Sequence, residues 1–272
     1  MTAGTLMTWL ADTVHGYRFD LGGVFRRVSE ASAWPVVANS PEELEQHLAL
    51  GGHLLPLPKE PAALANVLEV SIVDFLVAQV ERTPGGVVAR GTERSYPDLE
   101  ISGPPFGGGF HAVDVKCARR AANGRSTQSR ITLYTGNTYF RHPDLHWPGV
   151  PRPFNEYASH LDIIAVYTLN DRLPHRVDNL ELIVQEPWRI ASRSRSSMTR
   201  EYIGAVTDLD ALRHGRGEFD TPEAFYRYWR AFHFKISEQV QRQYQKALQE
   251  AHTELARYRR GPADSSDVPG VG

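Results

Sequence analysis

The chain has 272 residues, enough for one large domain or two modest ones, with the 41% hydrophobic and 23% charged content of an ordinary globular protein. Its 30 basic and 32 acidic residues leave a net charge of −2, so any surface for a polyanion must come from local segregation of charge. Cys117 is the only cysteine, which excludes an intrachain disulfide and a cysteine zinc site and points to the cytoplasm. No stretch approaches the roughly 18 apolar residues of a membrane span, and the N-terminus carries no signal-peptide pattern.

Leu6, Trp9, Leu10 and Val14 predict a short amphipathic helix over 5–14. Ser40-Pro41-Glu42-Glu43 combines an N-cap, a first-turn proline and early acids, so 41–50 reads as a second helix ended by Gly51-Gly52. Leu64, Val67, Leu68, Ile72, Phe75 and Leu76 form a helical stripe over 60–80, with Glu69 on its flank. Next comes a turn signal, Gly103-Pro104-Pro105-Phe106-Gly107-Gly108-Gly109, between two alternating runs: an antiparallel hairpin. If the turn is centred near residue 106, Asp98 lies across from Asp114. Alternation then puts Asp98, Glu100, Asp114 and Lys116 on one face and Leu99, Ile101, Val113 and Val115 on the other.

Beyond the hairpin, 131–134 reads as a strand, the four prolines of 141–153 as a loop, and 154–166 as a helix with Tyr157, Leu161, Ile164 and Ala165 at core spacing. Residues 180–184 read as a strand, and 189–200 as an irregular Ser/Arg stretch. A capped helix is expected from Asp220-Thr221-Pro222-Glu223, a long charged helix over about 236–259, and disorder over 261–272. The fold class expected is α/β, an α+β mixture with a central mixed sheet flanked by helices.

Two acids and a lysine in this arrangement suit magnesium-dependent phosphodiester hydrolysis. Carboxylates hold Mg²⁺ through oxygen, and a neighbouring ammonium orients water or offsets developing charge. The motif alone is degenerate. Pro143-Asp144 is a second Pro-Asp with no suitable Asp-x-Lys downstream, and solvated charge on an open hairpin face would explain the first pair equally. Glu69 alone reads as a surface helix glutamate. Arginines 189, 193, 195 and 200 read as a solvated loop or as groove-inserting cations able to fork onto guanine. The histidines show no metal-ligand spacing and read as structural or surface, while Trp147, Trp188 and Trp229 read as core.

Several ordered blocks extend the motif. Tyr96-Pro97-Asp98 and Asp114-Val115-Lys116 keep the separation of the Tyr-Pro-Asp and Asp-Ile-Lys of the EcoRV-type restriction endonucleases, within the PD-(D/E)xK nuclease superfamily. Gly52 through Glu69, Trp188-Arg189-Ile190-Ala191, Ile203-Gly204, Gly215 through Asp220 and Tyr228-Trp229-Arg230 resemble further blocks of that family, over roughly 50–235. The resemblance implies a homodimer that clasps duplex DNA, reads a palindrome and cuts each strand once, blunt, leaving 5′-phosphate and 3′-hydroxyl. It makes Asp98 and Asp114 metal ligands for Mg²⁺, Lys116 the catalytic lysine and Glu69 an auxiliary acid near a second metal position. It demotes Glu100 to a supporting or solvated residue. A cognate DNA methyltransferase is implied as functional partner.

The resemblance also implies one endonuclease domain over 1–260, with 1–59 as an N-terminal dimerisation segment, 60–235 as core and 236–260 as a C-terminal helix. DNA contacts are expected from Arg193, Arg195, Ser196, Ser197, Met198, Thr199 and Arg200, from Glu93 and Arg94, and from Asn137 and Thr138. Where the family reads DNA with Gly-Ser-Gly-Asn-Thr-Thr, this chain has Ser196 through Glu201, which predicts a site other than GATATC and richer in G·C. A structure-selective repair nuclease and an inactive DNA-binding module stay open as alternatives.

Overall fold

The glycine–proline turn sets the hairpin register. Gly103 adopts φ 118° and ψ 164°, a region open to glycine alone, and feeds a 3-10 turn at Pro104–Phe106. Around it β2 (Leu99–Ser102) pairs antiparallel with β3 (Phe110–Arg119), Leu99 opposite Val113 and Ser102 opposite Phe110, so the ladder is centred on residue 106 as expected. In this computed structural model the described residues are 3–19, 39–50, 61–92, 95–173, 176–234 and 238–259. Gly51-Gly52, Glu93, Arg94 and the expected disordered tail lie outside them.

Three further strands complete the main sheet. β1 (Val87–Arg90) pairs antiparallel with β2, β5 (Ser159–Leu169) pairs parallel with β3, and β6 (Val177–Gln185) pairs antiparallel with β5. The order is β1-β2-β3-β5-β6, a mixed sheet. A smaller sheet holds β4 (Thr132–Thr135), β8 (Tyr202–Ala205) and β7 (Ala191–Arg195), in that order.

Helices α1 (Ala3–Val14) and α3 (Pro61–Arg82) cover the apolar face of the main sheet. Leu6, Leu10, Leu64, Leu68, Ile72 and Leu76 share one core with Leu99, Ile101, Val113, Val115, Leu161 and Ile163. Removing a fully buried leucine from such a core costs about 2–5 kcal/mol. By length and composition Ala63–Arg82 would also cross a membrane, which the sequence reading passed over. Its leucine stripe is buried against the sheet, so its apolarity is that of a core helix.

The helix starts read from the sequence are present. Helix α2 (Pro41–Leu50) is capped by Ser40, whose Oγ accepts from the Glu43 amide at 3.2 Å. After α4 (Pro187–Ile190) and α5 (Leu209–His214), α6 (Pro222–Ala231) is capped by Thr221 through the Ala224 amide at 3.2 Å and buries Phe225 and Trp229. The chain divides into two units, Met1–Ser197 with Glu201–Phe232, and Met198–Arg200 with His233–Gly272. Helix α7 (Glu238–Arg259) belongs to the second, with Leu248, Leu255 and Tyr258 exposed.

Two expectations are overturned. Residues 154–166 are not a helix: after a 3-10 turn at Phe154–Glu156 the chain runs as β5. Parallel pairing beside β3 buries both faces of this strand, so its apolar run satisfied helical spacing as well. Residues 189–200 are not wholly irregular, because α4 leads directly into β7. As the edge strand of the smaller sheet, β7 is held partly by side chains rather than a second neighbour. Trp229 Nε1 donates to the Ser192 carbonyl at 3.1 Å and the Tyr228 hydroxyl to the Arg193 carbonyl at 2.9 Å, so a polar sequence suffices.

Candidate active site

Alternation gives the main sheet a polar face opposite the helices. Asp98 enters it from the start of β2, Asp114 and Lys116 from β3, and His160 and Asp162 from β5. The two acids are tied across the hairpin: Asp98 Oδ2 accepts from the Val115 amide at 2.7 Å, and the Asp98 amide donates to Asp114 Oδ1 at 3.3 Å. Lys116 Nζ donates to Asp114 Oδ2 in a partly buried ion pair. The three side chains floor a cleft of about 370 Å³ whose walls include Tyr139, Thr138 and Trp147.

The electrostatics are those of crowded carboxylates. Burial first, then the Asp114 charge, push Asp98 up to about 8. Burial works against the Lys116 ammonium, but Asp114, Asp162 and Asp98 more than reverse that, so its pKa is raised. Asp162 is held well above the usual carboxylate range by burial, with Lys116 acting against the shift and Asp114 and Asp98 adding to it. Glu69 on α3 is raised by its own burial, lowered by Lys116 and raised by Asp114, so it lies within electrostatic reach of both.

Among the described residues, no group of three or more His, Cys, Asp or Glu is arranged to hold a metal ion. The donor set nevertheless fits Mg²⁺. That ion takes one or two carboxylates and completes its octahedron with water and phosphate oxygens, and a divalent charge relieves the repulsion between Asp98 and Asp114.

A buried hydrogen-bond chain supports the floor. The Tyr96 hydroxyl lies 2.6 Å from His160 Nδ1, and His160 Nε2 lies 3.1 Å from the Phe154 carbonyl. The carbonyl can only accept, so Nε2 carries the proton and Nδ1 accepts from the tyrosine. Burial lowers the His160 pKa to about 3 and keeps the ring neutral. Tyr96 also stacks on Tyr139, a wall of the cleft, with ring centroids 4.7 Å apart. His160, read from sequence only as structural or surface, is thus interior.

Glu100 is neither solvated nor part of the acid pair. It is buried, and Arg152 donates to both its oxygens, at 2.8 and 3.0 Å, while the guanidinium stacks over Phe110. Trp229 is core as expected, but Trp147 and Trp188 are only half-buried. The acid missed by sequence reasoning is Asp162, only 1% exposed and the parallel register partner of Asp114. Reading 154–166 as a helix hid it. The signal that could have found it is the alternation of His160, Asp162 and Ile164 against Leu161, Ile163 and Ala165.

The expected DNA contacts are scattered. Thr138 lines the cleft, while Asn137 Oδ1 accepts from Arg141 at 2.9 Å. Arg193, near the end of β7, is held by its own surroundings: its guanidinium lies 5.2 Å from the Phe219 ring and 5.6 Å from Tyr228, and Nε donates to the Glu218 carbonyl at 3.3 Å. Arg195 ends β7 and Ser196 shares a 2.7 Å hydroxyl bond with Thr132. Ser197 follows in the first unit, and Met198, Thr199 and Arg200 are exposed residues of the second.

A mixed sheet flanked by helices, with two acids and a lysine gathered across one hairpin, defines a restriction endonuclease-like core. The model of the family "Restriction endonuclease EcoRV" matches residues 30–258, and the chain belongs to that family. A comparison with curated proteins finds no match. The protein is therefore a DNA-binding nuclease of the restriction endonuclease type.

Proposed function

We propose that the chain is a type II restriction endonuclease that cleaves both strands of a palindromic DNA site in the presence of Mg²⁺. The observation that carries this reading is the convergence of Asp98, Asp114 and Lys116 on one cleft floor. Asp98 and Asp114 would hold the ion, whose chemistry is to activate water and offset charge on the phosphoryl oxygens. The Val115 amide fixes the Asp98 carboxylate, so that ligand is oriented before metal or DNA arrives. Lys116 keeps a positive charge beside the reacting phosphate and orients the attacking water. Attack at phosphorus breaks the bond to the 3′ oxygen, leaving 5′-phosphate and 3′-hydroxyl. Glu69 serves as an auxiliary acid through its reach to Asp114 and Lys116.

A homodimer follows from a palindromic target, because equivalent surfaces must meet equivalent half-sites. The cut is blunt, the enzyme acts in the cytoplasm, and a methyltransferase of matching specificity protects host DNA. Arg195, Arg200 and the segment between them, with Glu93, Arg94, Asn137 and Thr138, read or position the DNA, at a site other than GATATC. Incubating supercoiled plasmid with Mg²⁺ and sequencing the cut ends tests the reading. Wild type yields defined blunt fragments with 5′-phosphates, and Asp114→Ala or EDTA yields none. Cutting by Asp114→Ala at the wild-type rate refutes the assignment, and ends without a common sequence refute site specificity.

A further inference from the structure

Asp114 has two oxygens and both are engaged: Oδ1 by the Asp98 amide and Oδ2 by the Lys116 ammonium. A divalent cation on Asp114 Oδ2 would sit against the Lys116 ammonium bound to that same oxygen, and the two positive charges repel. The ammonium is the mobile partner, since the amide belongs to the hairpin backbone. Once it lets go, Lys116 would be a partly buried cation without its counter-ion, a costly state. Asp98 cannot replace Asp114 as that counter-ion, because its carboxylate is the other proposed ligand.

A third carboxylate stands beside the pair. Asp162 faces Asp114 in the parallel register of β3 and β5, on strands about 4.8 Å apart. It lies on the same polar face, is 1% exposed, and its Oδ2 has no hydrogen-bond partner among the described residues. A buried carboxylate oxygen left unpaired in a folded chain calls for a partner that arrives in another state.

We propose that Asp162 is a positioning residue for Lys116: when Asp114 turns Oδ2 to a divalent cation, the ammonium passes to the Asp162 carboxylate and stays on the polar face. The exchange moves one ion-pair contact and breaks no covalent bond. It lets one aspartate serve as lock for the lysine in the metal-free enzyme and as ligand in the loaded one. This inference rests on the metal-dependent nuclease reading above.

Calorimetric titration of Mg²⁺ into the full-length chain tests it, using wild type, Asp162→Asn, Lys116→Met and the double variant. Asp162→Asn keeps the shape and removes the charge, and it weakens Mg²⁺ binding about ten-fold. In the Lys116→Met background the same substitution has no effect, because no ammonium needs rehousing. Unchanged affinity in Asp162→Asn overturns the proposal, as does an equal loss in both backgrounds, which would make Asp162 a direct ligand. Should Asp162→Asn fail to fold, the unaltered protein still decides. Hydrogen-bond scalar coupling from Lys116 Nζ reports the Asp114 carboxylate without metal and the Asp162 carboxylate with Mg²⁺. Coupling that stays with Asp114 refutes the exchange. A wild type that binds no Mg²⁺ sinks the metal-dependent reading itself, whereas normal binding without the exchange sinks this inference alone.

Discussion

Asp98 and Asp114 hold each other across the hairpin, the amide of the first donating to the carboxylate of the second at 3.3 Å. That contact sets two buried acids side by side, and burial first, then the Asp114 charge, raise the Asp98 pKa to about 8. Near neutral pH the metal-free fold therefore holds Asp98 protonated while the unfolded chain ionises it, which costs the fold stability, an arrangement kept for function. Asp98→Asn removes the charge and retains an oxygen for the Val115 amide. We expect its melting temperature, measured by calorimetry in EDTA, to rise by about 3 °C, a gain of roughly 1 kcal/mol, while plasmid cutting is lost. A fall in melting temperature would contradict the crowding argument.

Glu100 and Arg152 form a pair that belongs to the fold. Arg152→Ala strands a buried carboxylate, and urea denaturation should show a loss of about 2 kcal/mol, below the cost of a fully buried pair because the arginine is partly exposed. Combining Glu100→Gln with Arg152→Met removes both charges and recovers most of that loss. The double variant keeps cutting plasmid at close to the wild-type rate. Abolished cutting in a stable double variant would return Glu100 to the reaction.

The neutral His160 ring gives stability a pH dependence of definite sign. Its folded pKa is about 3, against 6.5 for a free histidine. The unfolded chain therefore binds a proton below about pH 6.5 that the folded ring refuses, and the stabilisation present above 6.5 is lost as pH falls toward 3. At about 1.4 kcal/mol per pKa unit the full loss is at most ~5 kcal/mol. Wild type minus His160→Gln, compared by urea denaturation at each pH, should show a difference that shrinks on acidification. A flat difference between pH 7 and 5 would mean that the folded ring takes up its proton at the pKa of a free histidine.

Gly103 and Gly108 should respond differently to alanine. A Cβ on Gly103 would sit 2.1 Å from the Gly85 carbonyl oxygen at φ +118°, whereas one on Gly108 meets nothing within 4 Å, at φ +74°. Gly103→Ala is expected to cost about 3 kcal/mol or more and to reduce cutting with the hairpin register. Gly108→Ala should cost only about 1–2 kcal/mol and leave cutting intact. Thermal denaturation and plasmid cutting of the two variants check this, and equal costs would detach the register from Gly103.

Arg193 is engaged with Phe219 and Tyr228, so its contribution is expected through packing. Arg193→Ala should lose about 1 kcal/mol of stability and keep wild-type discrimination among sites altered at single base pairs. A ten-fold loss of discrimination would show that the guanidinium leaves the rings to reach a base.

Local chemistry alone determined the hairpin. A glycine–proline turn and two alternating runs are contiguous in sequence, so the opposition of Asp98 and Asp114, the adjacent Lys116 and the apolar reverse face are all legible in the sequence. The Ser40 and Thr221 caps were legible for the same reason, since each acts within three residues. Tertiary structure decided what depends on distant partners. Whether 154–166 coils or extends turns on a parallel neighbour some fifty residues upstream, and only that pairing brings Asp162 to Asp114. The burial of Glu100 against Arg152 and the capture of Arg193 between Phe219 and Tyr228 are likewise long-range. An apolar run carries no record of the strand beside it, and a charged side chain carries none of its counter-ion. The acids of the hairpin were therefore visible from the start, and the third acid beside them was not.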